Sequence, residues 1–428
     1  MKIATIGAGY VGLVTGACFA NMGHNAICVD IVDGKVDKIN KGISPIYEKE
    51  LDEIIKRNVG KNLTATTDIE RAAKDSEIIF ICVGTPSRGD GRINLKYIKK
   101  AVKDLGGILK KLDYKLIVVK SSVVPGTTEN ILIPTIEENS DKQAGRDFGI
   151  CVNPEFLREG LAVEDTLNPD RIVIGEFDKR SGDILYELYK NFKCPILRVN
   201  LRTAEMIKYA SNNFLATKIS FINEISNICQ KLDIDVCEVA KGVGLDHRIG
   251  HHFLNAGVGF GGSCLPKDLK AMIKLSENNE YNPRLLKSVL EINENQKLKV
   301  IETIKSIMDL NGKTATVLGL AFKPETDDIR DAPAITIIEK LMEENTEVRV
   351  YDPKAMENFK TINNKIYYAN NIDDALKDSD LCIILTEWKE FRNIYEKILN
   401  MKKPRVIDGR RVLDKEKANE LGIEYFSV

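Results

Sequence analysis

Several features are scarce in this sequence of 428 residues, and each scarcity argues against a class of protein. It has four histidines and nine cysteines but no CxxC pair and no zinc-ligand spacing, so we expect no metal site. The 62 basic and 63 acidic residues nearly cancel, which argues against nucleic-acid and membrane-surface binding. No apolar run approaches the roughly 18 residues that span a bilayer, and the N-terminal segment does not resemble a signal peptide. We therefore expect a cytoplasmic protein.

The sequence does contain a repeated alternation of apolar strands and helices. Strands are predicted in the segments KIATIGA, NAICVDI, EIIFICV, KLIVVKS, GICVNPE and RIVIGE. Apolar strands separated by helices predict a parallel, doubly wound α/β sheet of the Rossmann type. Cys28, Cys82, Cys151 and Cys382 lie in such strand-like runs, where a cysteine is typically a small buried hydrophobe.

A long helix and a second α/β half follow the first sheet. The segment from Leu201 to Gln230 has no glycine or proline, which predicts one long helix that bridges domains or forms a dimer interface. Beyond it, TEVRVYDP ends in Asp352 much as NAICVD ends in Asp30, but no GxGxxG is present, so a different ligand is expected. We predict an NAD-binding Rossmann domain over 1–198, a central helical dimerisation domain over 199–300, and a Rossmann-like domain over 301–428.

A glycine-rich turn between the first strand and the first helix predicts a dinucleotide site. Its glycines allow a tight turn, a close approach of the pyrophosphate, and close packing of helix on strand. Asp30 ends the second strand, where its carboxylate would accept from the ribose hydroxyls and repel a 2′-phosphate, so NAD is favoured, although Lys35 nearby leaves NADP open. The residues of the turn expected at the cofactor are Gly7, Gly9, Tyr10, Val11 and Gly12.

The segment GFGGSCLPKD is the strongest candidate for the chemical centre. Cys264 stands among glycines and polar residues rather than in an apolar strand. A helix beginning near Pro266, together with Lys267, would favour a thiolate there. Thr85 and Ser122 end two further strands, at the sheet edge where ligands bind in this architecture, and are candidate cofactor or water contacts.

Further polar residues occur in pairs spaced for one helix face. Lys208 and Asn212 lie four residues apart on the long helix and could stabilise a developing oxyanion, and Asn223 returns to that face. Glu155 and Glu159 have the same spacing if their segment is helical, and paired carboxylates suit activation of water. Candidate phosphate-binding residues beyond the long helix are Lys323, Arg330 and Arg410.

These motifs together resemble the UDP-glucose/GDP-mannose dehydrogenase family over essentially the whole chain. The matching segments, in the family's order, are GAGYVG, VGTP, VVKSS, NPEFLREG, AEMIKYASNNFLATKISFINE, GFGGSCLPKD and FKPETDDIRDAPA. Within the family the sequence looks most like the enzymes that oxidise UDP-glucose at C6. The resemblance implies a four-electron oxidation to UDP-glucuronate that uses NAD and passes through a thiohemiacetal and a thioester.

The resemblance also implies residue roles. Cys264 would be the catalytic thiol, with Lys208 and Asn212 holding oxyanions. Asp268 would assist proton transfer through water, and Glu155 and Glu159 would serve thioester hydrolysis. Arg248 would contact substrate from a neighbouring subunit, which implies a homodimer through the central helix. The match also places Ser122 at the catalytic water or cofactor, Glu159 and Arg330 at the cofactor, and Lys323 at the nucleotide sugar. The further residues predicted at the nucleotide sugar are Phe156, Leu157, Phe260, Gly261 and Arg410.

One motif departs from the family pattern, and other functions stay open. Where the family often has KST, this chain has KSS with Pro125 one place later, so Ser122 keeps the hydroxyl but loses a methyl group. The same chemistry on GDP-mannose or UDP-N-acetylmannosamine is an alternative. A two-electron hydroxyacid dehydrogenase and an NAD-binding sensor are further alternatives, which would require no Cys264.

Overall fold

The computed structural model describes residues 1–428 and forms two compact units, 1–211 and 212–428. No helix is long and apolar enough to cross a membrane. The cytoplasmic location stays a prediction.

The first unit is built on an eight-stranded sheet in the order β3-β2-β1-β4-β5-β6-β7-β8. Its strands are β1 (Lys2–Ile6), β2 (Asn25–Val29), β3 (Leu63–Thr66), β4 (Ile78–Ile81), β5 (Leu116–Val119), β6 (Gly149–Val152), β7 (Ile172–Glu176) and β8 (Ile196–Asn200). The helices are α1 (Tyr10–Asn21), α2 (Asp33–Asn40), α3 (Leu51–Asn58), α4 (Ile69–Asp75), α5 (Lys96–Leu109), α6 (Ile133–Ser140), α7 (Ala162–Leu167) and α8 (Lys179–Tyr189). A π-helical turn, Thr128–Leu132, precedes α6.

The predicted doubly wound sheet is confirmed, with two differences in detail. Neighbouring strands pair in parallel except β6 and β7, which run antiparallel. The sequence reading also missed β3 and β8, because these edge strands alternate or carry polar residues instead of forming apolar runs. The strand order reverses between β1 and β4, and in such sheets this switch point is where a ligand binds.

The predicted long helix is α9 (Leu201–Lys231), which begins in the first unit and continues in the second. The other helices of the second unit are α10 (Val236–Gly244), α11 (Leu265–Asn278), α12 (Arg284–Ile307), α13 (Pro333–Glu343), α14 (Met356–Lys360), α15 (Ile372–Leu376), α16 (Tyr395–Leu399) and α17 (Lys415–Glu420). No glycine or proline interrupts the 31 residues of α9, so nothing in the sequence breaks it.

The second unit has a six-stranded parallel sheet in the order β11-β10-β9-β12-β13-β14. Its strands are β9 (Thr314–Leu318), β10 (Glu347–Tyr351), β11 (Tyr367–Tyr368), β12 (Leu381–Ile384), β13 (Arg405–Asp408) and β14 (Glu424–Ser427). The main apolar cluster of the unit lies between this sheet and helices α12 to α17. The predicted second Rossmann-like half is therefore confirmed as an architecture.

Candidate active site

The turn between β1 and α1 has the geometry that a dinucleotide requires. Gly7 has a φ of +101°, and a Cβ on Gly12 would lie 1.8 Å from the carbonyl oxygen of Gly7, so neither position accepts a side chain. At Gly9, by contrast, a Cβ would meet no atom within 4 Å. Packing does not require that glycine, and the space beside it, at the N-terminus of α1, fits a phosphate.

Asp30 sits at the end of β2 with its carboxylate fixed by the backbone. It accepts hydrogen bonds from the N–H groups of Ala8 at 3.0 Å and Val32 at 3.1 Å. Lys35 Nζ lies 3.3 Å from Asp30 Oδ2. Lys35 is therefore directed at this carboxylate, as a partner that orients the predicted ribose acceptor.

The other predicted residues of the turn have partners within the protein. The Tyr10 hydroxyl donates to the carbonyl of Tyr47 at 3.0 Å. Val11 is half-buried and packs against an apolar cluster that includes Ile3 and Phe80. The side chain of Val11 thus supports the sheet.

Thr85 and Ser122 meet where β4 and β5 end. The Thr85 hydroxyl donates to the Ser122 carbonyl at 2.8 Å. The neighbouring Ser121 donates to the carbonyl of Val83 at 2.7 Å. Hydroxyl groups therefore tie together the two strand ends on the far side of the switch point.

A buried ion pair joins the loop after β6 to α9. Lys208 Nζ lies 2.8 Å from Glu155 Oε1, and the two side chains are only 5% and 7% exposed. The N–H of Leu157 donates to Glu155 Oε2 at 2.8 Å. Burial pushes the pKa of Glu155 up, but the charge and hydrogen bond of Lys208 and the bond from Leu157 outweigh it and hold the pKa below its ordinary value. Glu155 is therefore ionised at neutral pH.

Two cations lie close to the Phe156 ring. The Arg171 guanidinium is 3.9 Å from the ring centroid, and Lys208 Nζ is 5.5 Å from it. Cation–π attraction thus helps to fix both the ring and the lysine.

The expectation that Glu155 and Glu159 share a helix face is wrong. Residues 153–158 have no regular structure, and α7 begins only at Ala162. Pro154 removes a backbone donor at the start of this segment, and Glu155 uses its carboxylate to bond Leu157 N–H, which closes a local turn. Glu159 is half-buried at the end of the loop.

Sequence reasoning missed a second buried lysine, Lys120, whose charge also acts on Glu155. Lys120 is 8% exposed and donates to Asn153 Oδ1 at 2.8 Å, an atom that also accepts from the Tyr189 hydroxyl at 2.7 Å. Burial lowers the pKa of Lys120, and Glu155 acts in the opposite sense. The available signal was a lysine directly after the buried strand LIVV, where a charge needs a partner.

In the second unit, Cys264 is the N-cap residue of α11, which begins at Leu265, one residue before the expected start near Pro266. Its carbonyl accepts from Asp268 N–H at 2.9 Å, and Ser263 Oγ lies 3.5 Å from its sulfur. A cysteine at a helix N-terminus feels the positive end of the helix dipole, which favours a thiolate. Lys267 Nζ lies 2.5 Å from Asp268 Oδ1, so its charge is shared with that carboxylate.

Other cysteines show the contrast with Cys264, which is only half-buried. Burial raises the pKa of Cys28 to about 11 and that of Cys82 to about 12. Burial likewise raises the pKa values of Cys151 and Cys382. These four are buried apolar groups, as predicted.

Asp268 connects α11 to α9 within the second unit. It is 1% exposed, and its Oδ2 accepts from Asn212 Nδ2 at 2.6 Å. Asn212 lies one helical turn beyond Lys208 on α9. The structure thus brings Asn212 and Asp268 together, one turn along α11 from Cys264.

The glycines before Cys264 are required mainly by the protein's own packing. A Cβ on Gly261 would lie 2.3 Å from the carbonyl oxygen of Asp331, and one on Gly262 would lie 2.7 Å from the Phe322 ring. Phe260 is held by Asn293, which accepts from Phe260 N–H at 2.7 Å and donates to Phe260 O at 3.1 Å. This loop is therefore a rigid support for the thiol.

The predicted basic residues of the second unit differ in their surroundings. Arg330 forms a forked pair with Asp328, and Lys323 Nζ lies 5.8 Å from the Phe322 ring centroid. Arg410 donates to the carbonyls of Leu385 at 2.9 Å and Gly259 at 3.1 Å. Arg410 thus braces the loop that leads to Cys264.

Arg248 and Asn223 complete the predicted set. The Arg248 side chain is 78% exposed and forms a forked pair with Asp246. Asn223 is fully buried, and its side-chain oxygen accepts from Gly257 N–H at 2.8 Å. Asn223 therefore holds the start of the glycine loop.

The second sheet has no dinucleotide turn at its own switch point. Asp352 directly follows β10, the strand next to that switch point, and its carboxylate accepts from the N–H groups of Leu320, Ala321, Lys354 and Ala355 and from Trp388 Nε1. These five bonds already engage the Asp352 carboxylate within the protein.

A dinucleotide turn with an aspartate at the second strand and a thiol at a helix N-terminus define an NAD-dependent dehydrogenase. Three family models match the chain in order. They are the NAD binding domain over residues 1–193, the central domain over 202–295, and the UDP binding domain over 316–415 of one family. The chain belongs to the UDP-glucose/GDP-mannose dehydrogenase family, whose members are NAD-dependent nucleotide-sugar dehydrogenases.

Individual relatives agree with this assignment. The chain is 44% identical to the UDP-glucose 6-dehydrogenase TuaD of Bacillus subtilis, over all of this chain and 93% of the relative. It superposes on a UDP-glucose dehydrogenase from Pyrobaculum islandicum with a TM-score of 0.93 and 37% identity, over 99% and 96% of the two chains. A UDP-D-ManNAc dehydrogenase from Pyrococcus horikoshii gives a TM-score of 0.88 at 28% identity, over 100% and 99%.

Proposed function

We propose that this protein oxidises the C6 alcohol of UDP-glucose to the carboxylate of UDP-glucuronate, in two oxidations with Cys264 as the nucleophile. The observation that carries the proposal is the setting of Cys264. It caps α11 behind a rigid glycine loop, and the buried Asp268 lies one turn away. The curated relative from Bacillus subtilis at 44% identity supports UDP-glucose as the sugar nucleotide.

The proposed chemistry needs a thiol because an aldehyde cannot readily lose a second hydride by itself. Loss of a proton and a hydride converts the alcohol to an aldehyde. The Cys264 thiolate then forms a C–S bond to the aldehyde carbon as the carbonyl π bond opens and its oxygen takes a proton, and the resulting thiohemiacetal loses that hydroxyl proton and a second hydride to become a thioester. Water attacks the thioester and the C–S bond breaks; one proton of the water goes to the sulfur and the other to solvent, which leaves the carboxylate and the Cys264 thiol. When bound, NAD accepts the hydride in each oxidation.

The chain's own residues serve these steps in separate ways. Lys208 and Asn212 stabilise the oxyanions, since an ammonium and an amide both donate to developing negative charge. Asp268 moves the proton through water, and Asn212 holds its carboxylate at 2.6 Å. Glu155 and Glu159 position or activate the water that cleaves the thioester. Glu155 is ionised, so its oxygens can accept a hydrogen bond from that water.

We also propose a separate role for each of the three segments of the chain. Residues 1–198 bind NAD with the turn residues, Asp30, Lys35, Thr85 and Ser122. Residues 301–428 bind the nucleotide sugar, with Lys323 and Arg410 at the substrate and Arg330 at the cofactor. Residues 199–300 contain α9 and form a homodimer.

The dimer proposal rests on an apolar stripe of α9 within the second unit. Phe214, Phe221 and Ile228 are seven residues apart, which places them on one helix face, and they are 65%, 48% and 50% exposed. Exposed apolar residues in a row typically mark a protein interface. The exposed Arg248 would then reach substrate bound by the partner.

The test is the yield of NADH from limiting UDP-glucose, followed by absorbance, with GDP-mannose and UDP-N-acetylmannosamine in parallel. We expect two NADH per molecule of UDP-glucose. Cys264→Ala should form no UDP-glucuronate, while Cys237→Ser, which changes an exposed cysteine, should behave like the unaltered protein. One NADH per sugar, or full acid production by Cys264→Ala, would refute the thiol mechanism. Two NADH from a different sugar nucleotide would keep the mechanism and change the substrate.

A further inference from the structure

Glu48 is a buried carboxylate that the proposed mechanism does not use. It lies in the segment between α2 and α3 and is 6% exposed. Its Oε2 accepts from Gly160 N–H at 2.7 Å, and its Oε1 accepts from Ala162 N–H at 2.9 Å. Hydrogen bonds from backbone N–H groups to a carboxylate are stronger than bonds to a neutral acceptor.

The Gly160 N–H belongs to the loop that carries the proposed hydrolytic carboxylates, and the Ala162 N–H belongs to the first residue of α7, directly after that loop. This loop, residues 153–161, begins beside Glu155, passes Glu159 and ends at α7. The residue before α7, Leu161, has no side chain able to cap the helix. Glu48 therefore supplies from a distant part of the sequence the acceptor that the first turn of α7 lacks.

The same segment is joined on its other side to the dinucleotide turn. Tyr10, at the start of α1, donates its hydroxyl to the carbonyl of Tyr47 at 3.0 Å, one residue before Glu48. Apolar packing runs in parallel with these bonds, because Val14 of α1 and Val163 of α7 belong to one buried cluster. The peptide between Tyr47 and Glu48 thus connects the dinucleotide turn to the loop 153–161.

We propose that Glu48 is a positioning residue for thioester hydrolysis, and that through Tyr47 and Tyr10 it couples the loop 153–161 to the dinucleotide turn. It holds the end of the loop while Lys208 holds Glu155 near its beginning. Loss of Glu48 leaves two buried donors unbonded and allows the loop to shift. A displacement of about 1 Å at a catalytic group can reduce a rate about 100-fold. The inference rests on the proposed function, since hydrolysis is the step it affects.

The test compares the burst of NADH with the steady-state rate under rapid mixing with UDP-glucose and excess NAD. In Glu48→Ala we expect a burst of two NADH per subunit at a rate within about threefold of the unaltered protein. The steady-state rate should fall roughly 10- to 100-fold, because the acyl group stays on Cys264. Mass spectrometry of the quenched intact protein should detect that acyl group. Glu48→Gln keeps one acceptor oxygen, so its steady-state rate should lie between those of the unaltered protein and Glu48→Ala.

The control is Asp178→Ala, which removes a carboxylate that caps α8 through two bonds to Ser181. It should lower stability and leave both rates unchanged. Tyr10→Phe should slow the steady state less than Glu48→Ala, and the double variant should be no slower than Glu48→Ala because both act through one segment. If the double variant is slower than Glu48→Ala by the factor that Tyr10→Phe shows alone, the proposed coupling of the loop to the dinucleotide turn is wrong.

The two proposals fail in different ways. If burst and steady-state rates fall together in Glu48→Ala and Glu48→Gln, or if neither changes, Glu48 has no positioning role. If the unaltered protein yields no second NADH from any of the sugar nucleotides, the proposed function itself is wrong, whatever the Glu48 variants do.

Discussion

Breaking the buried pair between Lys208 and Glu155 should strongly destabilise the first unit. The two groups are 2.8 Å apart and nearly inaccessible, so Lys208→Met leaves a buried carboxylate without its main partner. Removal of one member of such a pair costs about 3–5 kcal/mol. A unit of this size loses about 2–4 °C in Tm per kcal/mol, so a fall of roughly 6–20 °C is expected. The charge of Lys120 also lowers the pKa of Glu155. Because Lys120 still stabilises the carboxylate in Lys208→Met, we expect a fall in Tm at the lower end of this range.

Scanning calorimetry of Lys208→Met, Glu155→Gln and the double variant measures the coupling. The double variant should recover about 1–3 kcal/mol relative to the sum of the single changes, because both charges are gone. Lys179→Met, which breaks an exposed pair with Asp183, is the control and should leave the Tm nearly unchanged, because solvent screens an exposed pair. Additive losses in the double variant would refute the idea that the pair stabilises the fold as a unit.

The pH dependence has a defined sign. The folded-state pKa of Glu155 is lowered, so its contribution to stability is fully present above the ordinary value of 4.5 and is lost as the pH falls through the lowered value. The stability gap between the unaltered protein and Glu155→Gln should therefore be constant from neutral pH down to about pH 5 and narrow only in more acidic solution.

Three further predictions concern the cofactor, the chemistry and the assembly. Asp30→Ala should raise the KM for NAD about 10- to 100-fold, since a hydrogen bond to a charged group contributes about 1.5–3 kcal/mol. An unchanged KM in initial-rate assays would show that Asp30 is not part of the cofactor site. Asp268→Asn should lower kcat about 100-fold or more by removing a proton-transfer group, and a kcat within fivefold would contradict that role. Phe221→Asp should turn a dimer into a monomer in analytical ultracentrifugation, whereas Tyr367→Asp, an exposed aromatic of β11, should not.

The sequence alone was sufficient for the features that depend on local pattern. The glycine turn, the long helix and the position of Cys264 before a helix each follow from spacing and from the presence or absence of glycine and proline. Short edge strands such as β3 and β8 were missed because they have no continuous apolar run. The antiparallel pairing of β7 also has no local signal.

The sequence failed where function depends on long-range partners. Glu155 and Glu159 looked like a helical pair, but Glu155 is paired with Lys208, far away in the chain, and its loop is irregular. Lys120 and Glu48 were overlooked because their importance comes from burial and from partners in other segments. Residue spacing carries no information about either property.

Asp352 shows how one residue type at one topological place can have opposite uses. At the end of the strand beside the switch point of the first sheet, an aspartate is predicted to accept from the ribose of a dinucleotide. At that of the second, five donors occupy the carboxylate, and one of them comes from the only tryptophan of the chain. The carboxylate of Asp352 instead fixes the surrounding backbone and the Trp388 ring. Grafting a glycine turn alone onto the second sheet would consequently not create another dinucleotide site, because the Trp388 indole would still compete for the acceptor that a ribose needs.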